Sequence, residues 1–494
     1  MLPQLEARAE LDRLEDPRLF RELAYIDGKW RAARDAATRD VSDPATGAVL
    51  GAVAALGVGE AKRAVDAAAR AFGEWRALLP QERAARLRAW HDTIMAAKED
   101  LAVLMTLEQG KPLAEARGEI DYAAGFVEWY AEEAKRVNAE SVTSHLPGAE
   151  MSLRREPVGV AALVTPWNFP CAMITRKAAA ALAAGCTVVV HPSIETPFSA
   201  LALAELAERA GLPAGVFNVV TGEAPAIVGA WCEDRRVRAL SFTGSTAIGR
   251  LIARQCADTL KTLVLELGGH APFIVFPDAD LTHALKSAID AKFATSGQDC
   301  LAANRIYVHR AVYDTFAAAF ARRAGGLKVG GGFDRDVAIG PLMHERAVAK
   351  CEAHVADALA KGAKLLVGGA RHDRGPRFYA PTVLADVPAE ARIMHEETFG
   401  PVAALAPFDD EAAVLAAANA TEYGLVAYLH SRDPGRIARM TSGLEYGMVA
   451  VNRTRITGAP VPFGGVKQSG LGREGARQGM EAYTELKYVC TDAA

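Results

Sequence analysis

From residue 151 to residue 255 the chain alternates short apolar runs with helix-patterned stretches. This alternation constrains the fold more than any other feature. RREPVGVAALV leads into TPWNFP and a helix over 172–184. TVVVHP leads into a helix over 197–210, VFNVVTG into a third helix, and ALSFTGS into a helix over 246–255. Strands that are apolar throughout and separated by helices belong to a parallel sheet covered on both faces. Such sheets bind ligands outside the carboxyl ends of their strands. Polar residues stand at those ends: Asn168 after Val164, His191 after Val190, Thr221 after Val220, and Ser245 after Phe242. In Phe242-Thr243-Gly244-Ser245, a strand hands over to a helix N-terminus, where free amides and a hydroxyl favour a pyrophosphate. No GxGxxG accompanies it, so a plain strand-to-helix turn is an equal alternative on spacing alone.

Residues 262–300 carry the strongest chemical signal. An apolar run ends on Glu266 and breaks at Gly268-Gly269. A second run, 271–276, stops at Pro277-Asp278; a helix-like segment follows, and Gly297-Gln298-Asp299 delivers Cys300. A carboxylate and a cysteine each sit at the end of an element beside glycines, which suits a thiolate nucleophile with a nearby base. Most cysteines are inert core residues, but Cys300 follows a polar turn rather than an apolar run.

The flanks read as ordinary globular structure. Residues 1–15, with Leu2, Leu5, Leu11 and Leu14 at loosely helical spacing, predict a short N-terminal helix. Asp27-Gly28 predicts a hairpin turn, and 42–47 a second turn before the strand VLGAVAAL. Helices are expected over 59–77, 80–98, 98–109 and 111–138, the last carrying Tyr122, Phe126, Trp129 and Tyr130 as packing aromatics. Beyond Cys300, strands are expected at 305–308, 421–430 and 446–451, with helices over 311–323 and 345–361. The glycine-rich loop PFGGVKQSGLGREG precedes a terminal strand, YTELKYVC. An exposed apolar terminal strand invites pairing with another subunit.

With 494 residues, half of them hydrophobic, the chain can build two or more large cores. A net charge of −4 argues against nucleic-acid or membrane-surface partners, and no run of eighteen apolar residues is present. The N-terminus lacks a signal-type apolar segment. Seven dispersed cysteines without CxxC spacing fit a reducing cytoplasm, and eleven histidines without HxxxH grouping predict no metal.

Pro166-Trp167-Asn168-Phe169-Pro170, Phe242-Thr243-Gly244-Ser245, Glu266-Leu267-Gly268-Gly269, Gly297-Gln298-Asp299-Cys300, Glu397-Thr398-Phe399-Gly400-Pro401 and the PFGGVKQSGLGREG loop together resemble the aldehyde dehydrogenase superfamily. Ile174-Thr175-Arg176-Lys177, LSFTGSTAIGR and LKYVC look most like its succinate-semialdehyde dehydrogenases. The resemblance implies an α/β subunit in three parts. They are a Rossmann-type nicotinamide cofactor domain (1–135 and 154–264), an α/β catalytic domain (265–465), and a small β oligomerisation arm with the C-terminal strand (136–153 and 466–494). It also implies a homodimer or homotetramer, NAD or NADP as cofactor, and a small aldehyde as substrate. Cys300 would attack the aldehyde, Asn168 would hold the oxyanion, and Glu266 would activate water, with Lys177 and Glu474 assisting proton movement. Thr165, Pro166, Trp167, His191, Ser193, Glu195, Phe242, Gly244, Ser245, Leu267, Glu397 and Phe399 match cofactor positions. Arg176 and Thr457 match the substrate site.

Four departures from the relatives bear on specificity. His191-Pro192-Ser193-Ile194 stands where a lysine and a glutamate usually meet the adenosine ribose, which opens the choice between NAD and NADP; His191 carries a charge only when protonated. Glu195 either turns toward the ribose and disfavours NADP or is simply exposed. Ala294 stands where a second substrate arginine is expected; Arg453 or Arg455 replaces it, fits another anion, or is a solvated loop charge. Ala302 removes a second cysteine that could form a redox disulfide. Asp299 and His270 replace the commoner threonine and asparagine, and an ionised Asp299 should raise the cysteine pKa. Some aminoaldehyde dehydrogenases share Gln-Asp-Cys, which makes a cationic aldehyde a minor alternative. A paralogue that has lost catalysis is the reading from a different class.

Overall fold

The computed structural model describes residues 10–492. An eight-stranded sheet has the order Gly470–Leu471, Thr262–Glu266, Val237–Thr243, Val160–Val164, Thr187–His191, Phe217–Val219, Ala24–Ile26 and Lys29–Arg31. Its five central strands are parallel, with Val164 opposite both His191 and Phe242. The chain starts in the middle at Val160–Val164, steps outward twice, then returns to Val237–Thr243 and steps outward on the other side. The switch point therefore lies between Val160–Val164 and Val237–Thr243, where an open α/β sheet offers a crevice for a dinucleotide. This is the doubly wound sheet that the alternation predicts.

A seven-stranded sheet runs Lys364–Val367, Thr382–Ala385, Val402–Phe408, Ala303–His309, Ala271–Val275, Val426–His430 and Met448–Val451. Only residues 267–270 separate the last strand of the first sheet's central set from Ala271–Val275. The chain's chemistry is concentrated at this short crossing. A third sheet pairs Thr484–Asp492 with Ala149–Pro157, and that strand with Glu140–Val142, all antiparallel.

The expected hairpin forms, with Ala24 opposite Arg31 and left-handed φ angles at both Asp27 and Gly28, as a tight two-residue turn requires. The apolar run before Val160 divides: Ala149–Pro157 joins the third sheet and Val160–Val164 the first. The helix expected over 111–138 is Leu113–Glu133, because Pro112 lacks an amide proton and sits at its cap. The strand expected over 421–430 shortens to Val426–His430, since residues 421–425 form a loop against Gly268 and Val466. Helices Glu411–Asn419 and Pro434–Gly443 were not expected; Asp410 and Asp433 cap them by accepting first-turn amides. Leu2 and Leu5 of the expected N-terminal helix lie outside the described residues; Leu14 is buried. The helix Ala172–Ala184 is buried along its whole length, so its two cations, Arg176 and Lys177, must find partners inside the protein.

Candidate active site

Cys300 is delivered by a constrained turn. Thr295 and Ser296, neither of them glycine, have φ of +50° and +58°, a conformation that persists only when its surroundings enforce it. Thr295 N–H donates to Glu115 at 2.9 Å, and Ser296 Oγ accepts from Gly340 N–H at 2.9 Å. Gln298 Oε1 accepts from Met343 N–H at 2.9 Å, and Asp299 Oδ1 from Leu301 N–H at 3.0 Å. The half-buried Cys300 is thus fixed from both sides. A Cβ on Gly269 would stand 2.1 Å from the Cys300 carbonyl oxygen, so only glycine lets the two sheets close here.

Asn168 is 6 % exposed, and its amide donates to the Gln298 carbonyl at 3.1 Å, two residues before the cysteine, which leaves its second N–H uncommitted. Lys111 Nζ donates to the Asn168 carbonyl at 2.7 Å and pairs with Glu119, which in turn accepts the Cys171 and Ala172 amides. Nothing local in the sequence signals the buried role of Lys111. Burial first, then the neighbouring Asp299 carboxylate, pushes the Cys300 thiol well up, against the opposing pull of Arg176. Asp299 acts in the direction its replacement of threonine predicts.

Glu266 ends its strand 2 % exposed, with both carboxylate oxygens unpartnered. Burial and then Glu474 push its carboxyl well above the usual range. Gly464, with φ of +156°, brings its α-carbon against Glu266; a Cβ there would lie 2.9 Å from Oε1. A carboxyl group without fixed partners and with a raised pKa is poised to exchange a proton with water.

Lys177 is completely buried and donates to Ser241 Oγ at 2.9 Å, Thr243 Oγ1 at 2.7 Å and Glu474. Burial lowers the Lys177 pKa; burial would raise that of Glu474, but Lys177 and Arg176 together hold it below the usual range. Arg176 Nε lies 2.6 Å from Glu474 Oε2, close but poorly aligned for a hydrogen bond, and its guanidinium stacks 4.1 Å from the Phe463 ring. The glycine-rich loop explains the arrangement. Phe463 and Glu474 exchange backbone hydrogen bonds of 2.6 and 2.8 Å, so the loop folds back and sets Glu474 beside Arg176 and Gly464 beside Glu266. Arg176 Nη1 is buried without a partner. No local pattern signals this Arg176–Glu474 pair, because its members lie on different elements almost three hundred residues apart.

Around Arg176 stands Tyr122, beside both the guanidinium and Thr457. Arg453 and Arg455 remain exposed, and Arg453 Nε donates to the Arg455 carbonyl at 2.9 Å. Ala294 is exposed at the end of helix Leu281–Phe293.

The carboxyl edge of the first sheet collects the cofactor candidates. Ser245 is the N-cap of helix Thr246–Cys256 and makes no side-chain cap bond, and the Phe242 ring packs under Gly244. Leu267 packs against Gly249 of that helix. Thr165 Oγ1 and His191 Nε2 are buried and unpartnered. Trp167, after Pro166, meets Phe399 and His344 edge-on at 5.6 and 6.1 Å. Glu397 Oε1 accepts from Gly269 N–H at 3.1 Å, and burial pushes its carboxyl up to about 7. Unpartnered polar atoms, a free helix N-terminus and a carboxylate along one crevice fit a nicotinamide dinucleotide. Glu195 is bound to Ser193 and lies 3.2 Å from His344, a partner that sequence reading did not identify.

A half-buried cysteine, an unpartnered buried carboxyl group and polar groups at the carboxyl ends of a doubly wound sheet suit a dehydrogenase that works through covalent attachment. The aldehyde dehydrogenase family matches residues 30–489, and the chain belongs to it. The chain is 55 % identical over 98 % of its length to a non-phosphorylating aspartate-semialdehyde dehydrogenase of Halomonas elongata, covering 98 % of that protein. It is 54 % identical over 97 % of its length to an NADP-dependent succinate-semialdehyde dehydrogenase of Escherichia coli, covering 99 %. A crystal structure of an NADP-dependent E. coli enzyme superposes with a TM-score of 0.96 at 54 % identity, over 97 % of this chain and 100 % of that one. The protein is an NAD(P)-dependent aldehyde dehydrogenase.

Proposed function

We propose that the enzyme oxidises a short aldehyde with an anionic tail to its acid, succinate semialdehyde being the leading substrate. The observation that carries this is Arg176. It is 1 % exposed, braced by Phe463, Tyr122 and Glu474, and has a buried Nη1 without a partner. Such a guanidinium needs another acceptor, and a substrate carboxylate supplies one. The names of the two relatives point the same way, since aspartate and succinate semialdehydes both carry a carboxylate. Asp299 is less suited to a cationic tail, because one of its oxygens is spent on the Leu301 amide.

In this reading Cys300 Sγ, as thiolate, bonds to the aldehyde carbon, and the carbonyl electron pair moves onto oxygen. The free Asn168 N–H and the Cys300 backbone N–H donate to that oxyanion. NAD or NADP, when bound, would supply the hydride acceptor, and loss of hydride leaves Cys300 carrying a thioester. Glu266 takes a proton from water, which attacks the thioester; collapse of the adduct releases the acid and regenerates the thiolate. Lys177 and Glu474 pass that proton toward Ser241 and Thr243. Thr165, Pro166, Trp167, Phe242, Gly244, Ser245, Leu267, Glu397 and Phe399 line the cofactor, and Thr457 borders the substrate. Arg453 or Arg455 assists the tail from the loop. The subunit divides into a cofactor domain (1–135 and 154–264), a catalytic domain (265–465) and an arm (136–153 and 466–494), and subunits join through the third sheet as a homodimer or homotetramer.

Initial rates with succinate semialdehyde, butanal and an aminoaldehyde of similar length test the proposal. We expect kcat/KM for succinate semialdehyde to exceed that for butanal by at least about tenfold. Arg176→Ala should remove most of that difference through KM. Equal losses with both aldehydes would assign Arg176 to the support of Glu474 rather than to the substrate.

A further inference from the structure

The turn after the second strand outward from the switch point is where a doubly wound sheet meets the adenosine ribose. An acidic residue there accepts from the 2′-hydroxyl of NAD, and a cation accommodates the 2′-phosphate of NADP. In this chain the strand ends at His191, and the turn runs His191-Pro192-Ser193-Ile194-Glu195-Thr196. His191 is 2 % exposed, and its Nδ1 lies 2.8 Å from the Val220 carbonyl. That contact requires a proton on Nδ1, so the neutral ring presents Nε2 as an acceptor, and Nε2 is buried and unpartnered. Burial also lowers the His191 pKa, which agrees with a neutral ring. The neighbouring strand end, Val220-Thr221-Gly222-Glu223, adds a second acid, already paired with Arg39. Between them, residues 191–197 and 220–226 contain two glutamates and no lysine or arginine.

Glu195 is neither freely exposed nor loose. Its side chain is 22 % exposed, bonded to Ser193 Oγ and 3.2 Å from His344 Nε2. Burial would raise its pKa, but His344 and Ser193 outweigh this and keep it below the usual range, so it stays ionised at neutral pH. The turn at this strand end therefore carries two acceptors, His191 Nε2 and the Glu195 carboxylate, and no cation. A 2′-hydroxyl can donate to these. A 2′-phosphate, with a charge of about −1.5 to −2 at neutral pH, brings mainly acceptor oxygens and meets a fixed anion.

We propose that His191 and Glu195 make this enzyme selective for NAD over NADP, the opposite of the cofactor named for its E. coli relative. The inference concerns the adenosine end alone and does not depend on which aldehyde is oxidised.

The test is equilibrium binding of NAD+ and NADP+ to the full-length enzyme, by isothermal titration calorimetry without aldehyde. An error in the substrate assignment therefore leaves the result untouched. NAD+ should bind at least about tenfold more tightly than NADP+. Glu195→Gln should tighten NADP+ severalfold while weakening NAD+. His191→Lys should tighten NADP+ by about tenfold and weaken NAD+, because the acceptor is replaced by a cation. Thermal-shift measurements with each cofactor should give the same order. NADP+ binding to the wild-type enzyme as tightly as NAD+ would overturn the proposal, whatever the variants do. A selective wild-type enzyme whose two variants keep the original ratio would overturn the assignment of selectivity to these residues.

Discussion

At the scale of single residues, the site stores unfavourable interactions that its chemistry requires. Glu266 is buried with two unpartnered oxygens and a raised pKa. A group that holds its proton more tightly when folded than when unfolded lowers stability as pH rises from the unfolded pKa, about 4.3, toward the folded value. Glu266→Gln should therefore raise the melting temperature at pH 8 by about 1–3 °C and give less gain near pH 5, while lowering turnover by about 10²–10⁴-fold. Scanning calorimetry at both pH values checks this; a variant less stable than wild type at pH 8 would mean that Glu266 has partners in solution. Cys300 gives a second prediction. With its thiol pushed up by burial and Asp299, the thiolate is the minor form at neutral pH. The value of kcat/KM should then rise about tenfold per unit from pH 6 toward 9. Asp299→Thr removes one of the raising groups, so the whole profile should move to lower pH. An unmoved profile would leave burial as the sole cause of the shift.

At the scale of elements, the site's stability rests on the buried set Arg176, Lys177 and Glu474, carried by one helix and one loop. Losing one member of a buried ion pair costs about 3–5 kcal/mol, because the others stay charged without compensation. Glu474→Gln strands two buried cations, whereas Glu474→Gln combined with Lys177→Met strands one. The double variant should unfold at a higher temperature than the Glu474→Gln single. The reverse order would place the main compensation of Lys177 at Ser241 and Thr243. This scale also divides what the sequence reveals from what it conceals. Strand–helix alternation is local, so the parallel sheet and the helix Ala172–Ala184 could be read directly, though not that helix's complete burial. Glu266 and Cys300 could be read because each sits at an element end beside glycines. The Arg176–Glu474 and Glu195–His344 contacts could not, because they join residues brought close only by the closed loop and by the meeting of the two large sheets. The neutrality of His191 was equally hidden, since it depends on burial and on a carbonyl from the adjoining strand.

At the scale of the whole molecule, the third sheet is unfinished within one chain. Thr484–Asp492 is a nine-residue edge strand, paired on one side with Ala149–Pro157. Leu486 and Tyr488, two residues apart and hence on one face, are 57 % and 53 % exposed, with Leu146 and Val142 also exposed nearby in the chain. A long edge with large apolar side chains and a free row of backbone donors and acceptors is a site for pairing between chains. Lys487 and Arg238 pair with Glu156 and Glu485 across or beside this sheet, while the exposed Leu486 and Tyr488 and the open backbone edge supply apolar contact and pairing for association. The expected species in light scattering is then a multiple of the 52.4 kDa chain. Leu486→Asp with Tyr488→Asp should shift it toward the single chain. Arg176, Cys300 and Glu266 all sit within one subunit, so a monomeric variant should keep its affinity for cofactor and lose thermal stability first. A wild-type mass of one chain would refute this account of the arm, and an oligomer indifferent to both substitutions would move the interface to another face.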